Sequence, residues 1–253
     1  MKIYEFHFSP TGGTKKTADI LTEKLASEIK SFDLMDNCFD FSEVSLKEDD
    51  IAVIAVPSYG GRVPEPAARR ISTLKGNGAR AVLLCVFGGR AYEDTLVELH
   101  DTAKSSGFRI IAAVSAIAEH SIVHHMAAGR PDTQDQTSLA GFSEKILEKI
   151  SSGNITEPSI PGNRPYKKRG VIAMTPMPNS SCTKCGLCAE KCPVQSIDKK
   201  DPAKLNTDTC ISCMRCVYIC PHSAREANAA MISKVERMLK KVCSERKECE
   251  LFI

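Results

Sequence analysis

The sequence predicts a doubly wound α/β domain followed by a small cysteine-rich domain. Short apolar runs alternate with longer amphipathic stretches up to about residue 150, and ten of the twelve cysteines come after residue 180. Apolar strands that alternate with helices are typical of a parallel sheet covered on both faces. We therefore expect an α/β domain at 1–150, a linker rich in proline and glycine at 151–175, a cysteine domain at 176–228, and an amphipathic helix with a tail at 229–253.

Five apolar runs are the candidate strands of a single parallel sheet. They span 3–8, 31–34, 51–56, 81–87 and 109–115. Amphipathic helices are expected at 14–28 and 93–104, because apolar residues recur there at helical spacing. A third helix at 137–150 would close the domain.

Membrane insertion and secretion find no support in the sequence. The apolar runs are far shorter than the roughly 18 residues that a membrane span requires. The first residues lack the apolar length and the cleavage site of a signal peptide. We therefore expect a cytoplasmic protein without a membrane span.

Eight of the late cysteines form two copies of the spacing C-x2-C-x2-C-x3-C-P. The copies consist of Cys182, Cys185, Cys188 and Cys192, and of Cys210, Cys213, Cys216 and Cys220. Three thiolates at this spacing can bind three corners of an iron–sulfur cube from one loop, so the fourth ligand must come from elsewhere. Zinc is the alternative, since zinc sites also use C-x2-C spacing, but they do not need this doubled pattern.

This segment resembles the bacterial-type two-cluster ferredoxins, which are small α+β domains, over roughly 50 residues. The resemblance implies two [4Fe-4S] clusters with crossed ligation. One cluster would bind Cys182, Cys185, Cys188 and Cys220, and the second would bind Cys210, Cys213, Cys216 and Cys192. The remaining cysteines, Cys38, Cys85, Cys243 and Cys249, are interpreted as ordinary thiols.

The charge of the chain is unevenly distributed along its length. Residues 1–150 contain 17 basic and 21 acidic side chains, whereas the rest contains 17 basic and 10 acidic ones, which gives net charges of −4 and +7. A basic half can indicate a nucleic-acid partner. Two clusters at about −2 each would offset about 4 of these positive charges. The sequence therefore does not favour nucleic-acid binding.

A glycine-bearing loop joins the first strand to the first helix. It consists of Ser9, Pro10, Thr11, Gly12, Gly13 and Thr14. Its hydroxyls, its backbone amides and the helix N-terminus can surround a phosphate. The loop matches neither the P-loop NTPase pattern nor the dinucleotide-binding G-x-G-x-x-G. It resembles the phosphate loop of flavodoxins, and this resemblance implies that FMN binds here.

Two more loops follow the third and fourth strands. They contain Pro57, Ser58, Tyr59, Gly60 and Gly61, and Gly88, Gly89, Arg90, Ala91 and Tyr92. In the flavodoxin-like strand order 2-1-3-4-5, the carboxyl ends of strands 1, 3 and 4 converge on one crevice. The resemblance then implies that Tyr59 or Tyr92 stacks on the flavin ring and that the peptide between Gly60 and Gly61 approaches its N5 atom.

Some polar residues near these loops have open roles. Arg62 and Arg90 replace the acidic surroundings usual in flavodoxins, and they point either to the flavin or to solvent. His120 follows the fifth strand and is the candidate catalytic residue for proton transfer, although such histidines often only stabilise a loop.

The whole chain resembles the flavodoxin–ferredoxin fusions of anaerobic bacteria and archaea. The resemblance implies an electron-transfer protein that passes electrons between FMN and two [4Fe-4S] clusters and links redox partner proteins that handle one or two electrons. One alternative is an FMN-dependent reductase, fed by the ferredoxin domain, that acts on a small-molecule acceptor. Another is a sensing module that has lost its flavin.

Overall fold

The computed structural model of the protein describes residues 2–26, 28–170 and 174–253. Its strands are β1 (Ile3–His7), β2 (Ile29–Asp33), β3 (Ile51–Pro57), β4 (Arg80–Phe87), β5 (Arg109–Ile117), β6 (Met177–Pro178), β7 (Arg225–Glu226) and β8 (Glu250–Phe252). Its helices are α1 (Gly13–Glu23), α2 (Glu65–Ile71), α3 (Thr95–Ser105), α4 (Thr133–Ser151), α5 (Leu187–Glu190), α6 (Arg215–Tyr218) and α7 (Ala229–Lys240). Within the described residues, no helix is long and apolar enough to cross a membrane.

The main sheet has the order β2-β1-β3-β4-β5-β8. Its first five strands pair in parallel, which confirms the predicted order 2-1-3-4-5 and the flavodoxin-like α/β fold. Helices α1 and α4 contact each other, as do α2 and α3. Two apolar clusters, one against each helix pair, fill the space on either side of the sheet.

The central strands are apolar on both faces because helices cover both faces. Successive residues of β3 alternate between the two clusters: Ile54 and Val56 pack in one, and Val53 and Ala55 pack in the other. All residues of β3 except Pro57 are buried. The apolar run predicted at 51–56 therefore marks β3 correctly, whereas β2 begins two residues before the predicted run at 31–34 and ends one residue before its end.

Several helix boundaries differ from the predicted ones. Helix α1 ends at Glu23 rather than at residue 28, and residue 27 of the predicted helix lies outside the described residues. Helix α4 begins four residues earlier than predicted, because Asp132 and Asp135 form a capping box at its N-terminus. Helix α2 has no predicted counterpart, since its seven residues are too few for a clear apolar periodicity.

The C-terminal tail returns to the α/β domain as a sixth strand. Strand β8 pairs antiparallel with β5, so the tail extends the predicted parallel sheet by one strand. The carboxylate of Glu250 accepts hydrogen bonds from Ser115 Oγ and from Tyr92 Oη, both at 2.9 Å. The chain that follows the cysteine domain is therefore attached to the sheet.

The segment predicted as a linker is bound along α3. Asp94 accepts hydrogen bonds from the amides of Asn163 at 2.8 Å and Lys167 at 2.7 Å. Asp101 accepts one from Arg164 Nε at 2.7 Å. The amide of Lys167 is the main cause of the lowered pKa of Asp94. This part of the chain, which we call the strap (154–170), is thus an ordered connection, while residues 171–173 lie outside the described residues.

A buried ion pair holds the returning tail. The side chain of Asp135 is 1% exposed and accepts a hydrogen bond from Arg130 Nε at 2.7 Å. Arg130 also donates through Nη1 to the carbonyl of Lys247 at 2.7 Å. Arg246 lies 3.3 Å from the same carboxylate. Asp135 therefore links the start of α4 to the segment that leads into β8.

We predict that Asp135→Asn lowers the free energy of unfolding by about 3 kcal/mol, because it leaves the buried Arg130 guanidinium without its carboxylate. Urea unfolding followed by circular dichroism measures the change. Asp19→Asn is the control, since Asp19 forms only an exposed pair with Lys15 and should cost about 0.5 kcal/mol or less. Equal losses in the two variants would contradict the role given to Asp135.

Candidate functional site

A cleft lies at the carboxyl ends of β1, β3, β4 and β5. Three predicted loops meet there, as the strand order requires. The predicted residues in its lining are Ser9, Pro10, Thr11, Gly13, Thr14, Pro57, Ser58, Tyr59, Gly60, Gly88 and His120. The lining also contains residues that were not predicted: Val86, Phe87, Ala118, Glu119, Ser121, Ile122, Ile211 and Ser212.

The first loop leaves several amide donors available. Gly12 has φ of 85°, a left-handed conformation that glycine adopts without strain, and α1 starts at the next residue. Within the described residues, the amides of Thr11, Gly13 and Thr14 donate no hydrogen bond. A helix N-terminus with free amides binds anions through those donors and through the helix dipole. The loop therefore fits the phosphate of a nucleotide such as FMN.

The second loop is a tight reversal of the chain after β3. The amide of Tyr59 donates to the carbonyl of Arg62 at 3.0 Å, and Arg62 donates back at 3.2 Å. Gly60 and Gly61 between them have φ of 60° and 82°, as a type I′ turn requires. Gly60 lines the cleft, whereas a Cβ on Gly61 would lie 2.8 Å from the Cβ of Glu93. Packing against Glu93 thus requires glycine at position 61.

Arg62 is not part of the described cleft lining, and its side chain pairs with residues of α3 and the strap. Its Nε donates to Glu98 Oε2 at 2.7 Å, and its guanidinium lies 4.8 Å from the centre of the Tyr166 ring. Glu98 also pairs with Arg169 of the strap at 2.6 Å. Arg62 therefore contacts both α3, through Glu98, and the strap, through Tyr166.

The third loop has one residue in the cleft lining, and another of its residues contacts the C-terminal tail. Gly88 lines the cleft, and a Cβ there would lie 2.6 Å from Cδ2 of His120, so the imidazole ring requires glycine at this position. Arg90 donates twice to Glu93 at 2.9 Å. Tyr92 packs on Phe87, with ring centres 5.4 Å apart, and donates to the tail. The described lining does not include Gly12, Gly61, Gly89, Arg90, Ala91 and Tyr92. Of the tyrosines in the second and third loops, Tyr59 lines the cleft and Tyr92 does not.

His120 is held in one tautomer. Its Nδ1 accepts hydrogen bonds from the amides of Ile122 at 3.2 Å and Val123 at 3.1 Å, so the neutral ring carries its proton on Nε2. Burial, with a smaller effect of His124, lowers the pKa of His120 to about 4. At neutral pH, His120 can therefore donate a hydrogen bond through Nε2 but is a poor reservoir of exchangeable protons.

The eight cysteines of the two copies line two separate cavities. One cavity is lined by Cys182, Cys185, Cys188 and Cys220, which we call the distal set. The other is lined by Cys192, Cys210, Cys213 and Cys216, which we call the proximal set. Each set contains three cysteines of one copy and the last cysteine of the other. Among the described residues, no three metal-binding side chains are placed to hold a single metal ion.

The backbone repeats along with the cysteines. Left-handed conformations at Lys184 and Gly186 recur at Ser212 and Met214, at the same positions of the second copy. The sulfur of the fourth cysteine accepts an amide hydrogen bond from the residue four positions later in both copies, at 3.4 Å for Cys192 and 3.2 Å for Cys220. The two loops therefore have the same shape, as expected for two sites of the same kind.

The proximal set adjoins the cleft. Ile211 and Ser212 lie between Cys210 and Cys213 and form part of the cleft lining. Arg215 lines the proximal cavity and donates through Nη1 to the carbonyl of Pro10, in the first loop, at 3.2 Å. Sequence reasoning missed Ile211, Ser212 and Arg215, because no local pattern connects a cysteine loop with a cleft that distant parts of the chain form; the contact of Arg215 with Pro10 spans 205 positions.

Contacts on another side also place the proximal set against the α/β domain. Asn37 Nδ2 donates to the carbonyl of Cys192 at 2.7 Å, and Arg70 donates to the carbonyl of Pro193 at 3.0 Å. Burial raises the pKa of the Cys213 thiol to about 12, with further effects from Cys192 and the other proximal cysteines. Cations such as cluster irons would therefore have to stabilise these thiolates.

Comparisons with known proteins concern the two parts of the chain separately. Residues 181–224 match the family described as a 4Fe-4S dicluster domain. No curated protein sequence matched the chain. A flavodoxin of Streptococcus pneumonia TIGR4 is similar in structure at 19% identity, over 59% of this chain and 99% of that chain, with a TM-score of 0.43. A flavodoxin from the domain Archaea is similar at 12% identity, over 60% and 99% of the two chains, with a TM-score of 0.45.

These findings define the class of protein. The matched domain contains both cysteine copies, and the larger domain has the flavodoxin-like strand order with its loops at the carboxyl edge of the sheet. The chain therefore combines a segment that matches an iron–sulfur domain family with a flavodoxin-like α/β domain.

We predict that His120 makes the folded protein sensitive to acid. Its pKa is about 4 in the folded chain and about 6.5 when unfolded, so protonation favours the unfolded state. Its contribution to stability is complete above about pH 6.5 and decreases as the pH falls toward about 4, by up to about 3 kcal/mol. Unfolding experiments across this range measure the effect.

The variant His120→Asn provides the comparison for this prediction. An asparagine keeps an acceptor for the amides of Ile122 and Val123 but does not titrate. The variant should therefore lose less stability than the unmodified protein as the pH falls. His125→Asn, which alters an exposed imidazole paired with Glu236, is the matched control. The same pH dependence in His120→Asn and the unmodified protein would contradict a buried neutral imidazole.

Proposed function

We propose that this protein transfers electrons between an FMN in the cleft and two [4Fe-4S] clusters, one in each cysteine cavity. The main support for this proposal is the position of Ile211 and Ser212, which lie between two proximal cysteines and also line the cleft. This arrangement would bring the flavin and the proximal cluster close together. The distal set would then connect the proximal set to other proteins.

FMN is the flavin that best fits the residues of the cleft. The free amides of the first loop would bind its phosphate, and Tyr59 and Gly60 would lie beside its ring system. His120 would donate a hydrogen bond from Nε2. FMN supplies the exchange of one or two electrons, and an iron–sulfur cluster supplies the exchange of one. The protein's own residues bind and orient the ring and limit its contact with water.

The proposed ligands of each cluster are the four cysteines that line each cavity. The distal set would hold one cluster, and the proximal set would hold the other. Cys185 of the distal set is exposed, whereas Cys192 and Cys213 of the proximal set are buried. We therefore propose that redox partner proteins exchange electrons at the distal set.

We also propose a division of the chain that follows these sites. Residues 1–150 with the β8 tail form the flavin domain, 151–175 form the connection, and 176–228 form the two-cluster domain. The helix and tail at 229–253 lead back to the sheet. A reductase that acts on a small-molecule acceptor would use the same cleft, and reoxidation that depends on such an acceptor would identify it.

The composition of the protein tests this proposal. Anaerobic purification or reconstitution should yield one FMN and about eight iron atoms per chain, with a matching amount of sulfide. Chromatography of the released flavin distinguishes FMN from FAD. Finding FAD, or no flavin after reconstitution, would contradict the flavin part. Finding about four irons would contradict the second cluster.

We predict that Cys192→Ser disturbs the cluster of the proximal set, although Cys192 belongs to the first copy. Alkylation under anaerobic conditions, followed by mass spectrometry of peptides, measures which cysteines lose their protection. Cys210, Cys213 and Cys216 should become reactive in this variant. Their increase in labelling should exceed that of the distal cysteines by about tenfold, because only the proximal cluster loses a ligand.

The mirror variant is Cys220→Ser. It removes the fourth cysteine of the other copy and should expose Cys182, Cys185 and Cys188 instead. Each variant therefore serves as the matched control for the other. If Cys192→Ser exposed mainly the cysteines of its own copy, ligation would be local and the crossed assignment would be wrong.

A further inference from the structure

We propose that the iron–sulfur domain completes the flavin site, so that FMN affinity depends on the cluster in the proximal set and not on the distal one. This inference rests on the proposed function, because it concerns the same flavin. Its structural basis is that one wall of the cleft belongs to the segment between Cys210 and Cys213. Bonds from both cysteines to one cluster would fix the shape of that segment.

The backbone is strained within this segment and just after it. Ser212 and Met214 have φ of 52° and 60°, in the left-handed region that residues with a Cβ rarely adopt. Such conformations cost about 1 kcal/mol or more each and persist only where the surroundings impose them. Bonds from Cys210, Cys213 and Cys216 to one cluster would impose them. Without the cluster, the segment can relax and change the wall of the cleft.

Arg215 connects the proximal cavity to the first loop. Its Nη1 donates to the carbonyl of Pro10 at 3.2 Å. Its Nε is buried and has no hydrogen-bond partner among the described residues. Arg215 also lines the proximal cavity, and the sulfur atoms of iron–sulfur clusters accept hydrogen bonds. A cluster would supply the missing acceptor and so fix the side chain that touches the phosphate loop.

Helix α6 covers the same loop from outside. A Cβ built on Gly12 would lie 3.2 Å from the hydroxyl of Tyr218, at the end of α6. Helix α6 begins two residues after the proximal cysteine Cys213 and includes Cys216. The proximal site thus reaches the flavin site through two elements, the segment at Ile211 and helix α6. By contrast, no described side chain of the distal set lines the cleft.

Binding at two such sites is coupled in both directions. If the proximal cluster raises the affinity for FMN, then FMN stabilises the proximal cluster by the same factor. A tenfold change corresponds to about 1.4 kcal/mol, which is within the range of ordinary coupling between sites. The protein would therefore release its flavin when it loses the proximal cluster.

The test compares two serine variants at the same position of each copy. Cys216→Ser alters the proximal set, and Cys188→Ser alters the distal set. Titration of the full chain with FMN under anaerobic conditions, followed by quenching of flavin fluorescence, gives each Kd. We expect Cys216→Ser to weaken FMN binding by about tenfold or more and Cys188→Ser to change it by less than about twofold.

Two further measurements separate coupling from misfolding. Circular dichroism should show the same helix content in both variants. Arg215→Met should keep its iron content and still weaken FMN binding, whereas Arg215→Lys should weaken it less, because lysine keeps a donor for the Pro10 carbonyl. In the unmodified protein, FMN should slow the removal of about half of the iron by a chelator.

Each outcome bears on a different claim. Equal Kd values for Cys216→Ser and Cys188→Ser, whether both weak or both unchanged, would overturn the coupling while the proposed function stands. Failure of the unmodified protein to bind FMN would overturn both the coupling and the proposed function. A specific loss in Cys216→Ser with normal helix content supports the coupling.

Discussion

Attachment of the cysteine domain to the α/β domain at two points is the constraint on which the other features depend. The strap is bound to α3 before this domain, and β8 pairs with β5 after it. Domains joined by a single free linker usually move relative to each other. Here the two attachments, together with the bonds from Asn37 and Arg70 to the carbonyls of Cys192 and Pro193, hold the proximal set at the carboxyl edge of the sheet. A fixed separation of this kind favours the electron exchange that we propose between the two sites.

Buried charges stabilise both attachments, and this explains why their residues are polar in otherwise apolar surroundings. Glu98 is 7% exposed at its side chain and accepts hydrogen bonds from Arg62 and Arg169. Asp135 is even less exposed and pairs with Arg130. A buried carboxylate without a partner costs several kcal/mol, so each pair favours the one arrangement that satisfies it. These ion pairs specify where the strap and the tail bind more than they add to overall stability.

The sequence predicts the features that depend on local patterns. Apolar runs mark the strands, and the cysteine spacing marks the sets that later share cavities. It does not predict β8, because three residues with Glu250 among them carry no strand signal. Nor does it predict which of Tyr59 and Tyr92 lines the cleft, because both follow a strand in the same way. The structure distinguishes them, since Tyr92 donates to Glu250 of the tail. The contribution of Ile211 to the cleft depends on how two domains pack, so no local pattern contains it.

Two loops of the same shape become two different sites because their surroundings differ. The left-handed residues and the amide bonds to the fourth cysteine are common to both copies. In the proximal set, Cys192 and Cys213 are only 7% and 8% exposed, whereas Cys185 of the distal set is exposed. Solvent exposure and hydrogen bonds to sulfur determine the potential of an iron–sulfur cluster as strongly as its ligands do. Packing one copy against the cleft therefore gives the chain an inner and an outer site, although the spacing of its cysteines is symmetrical.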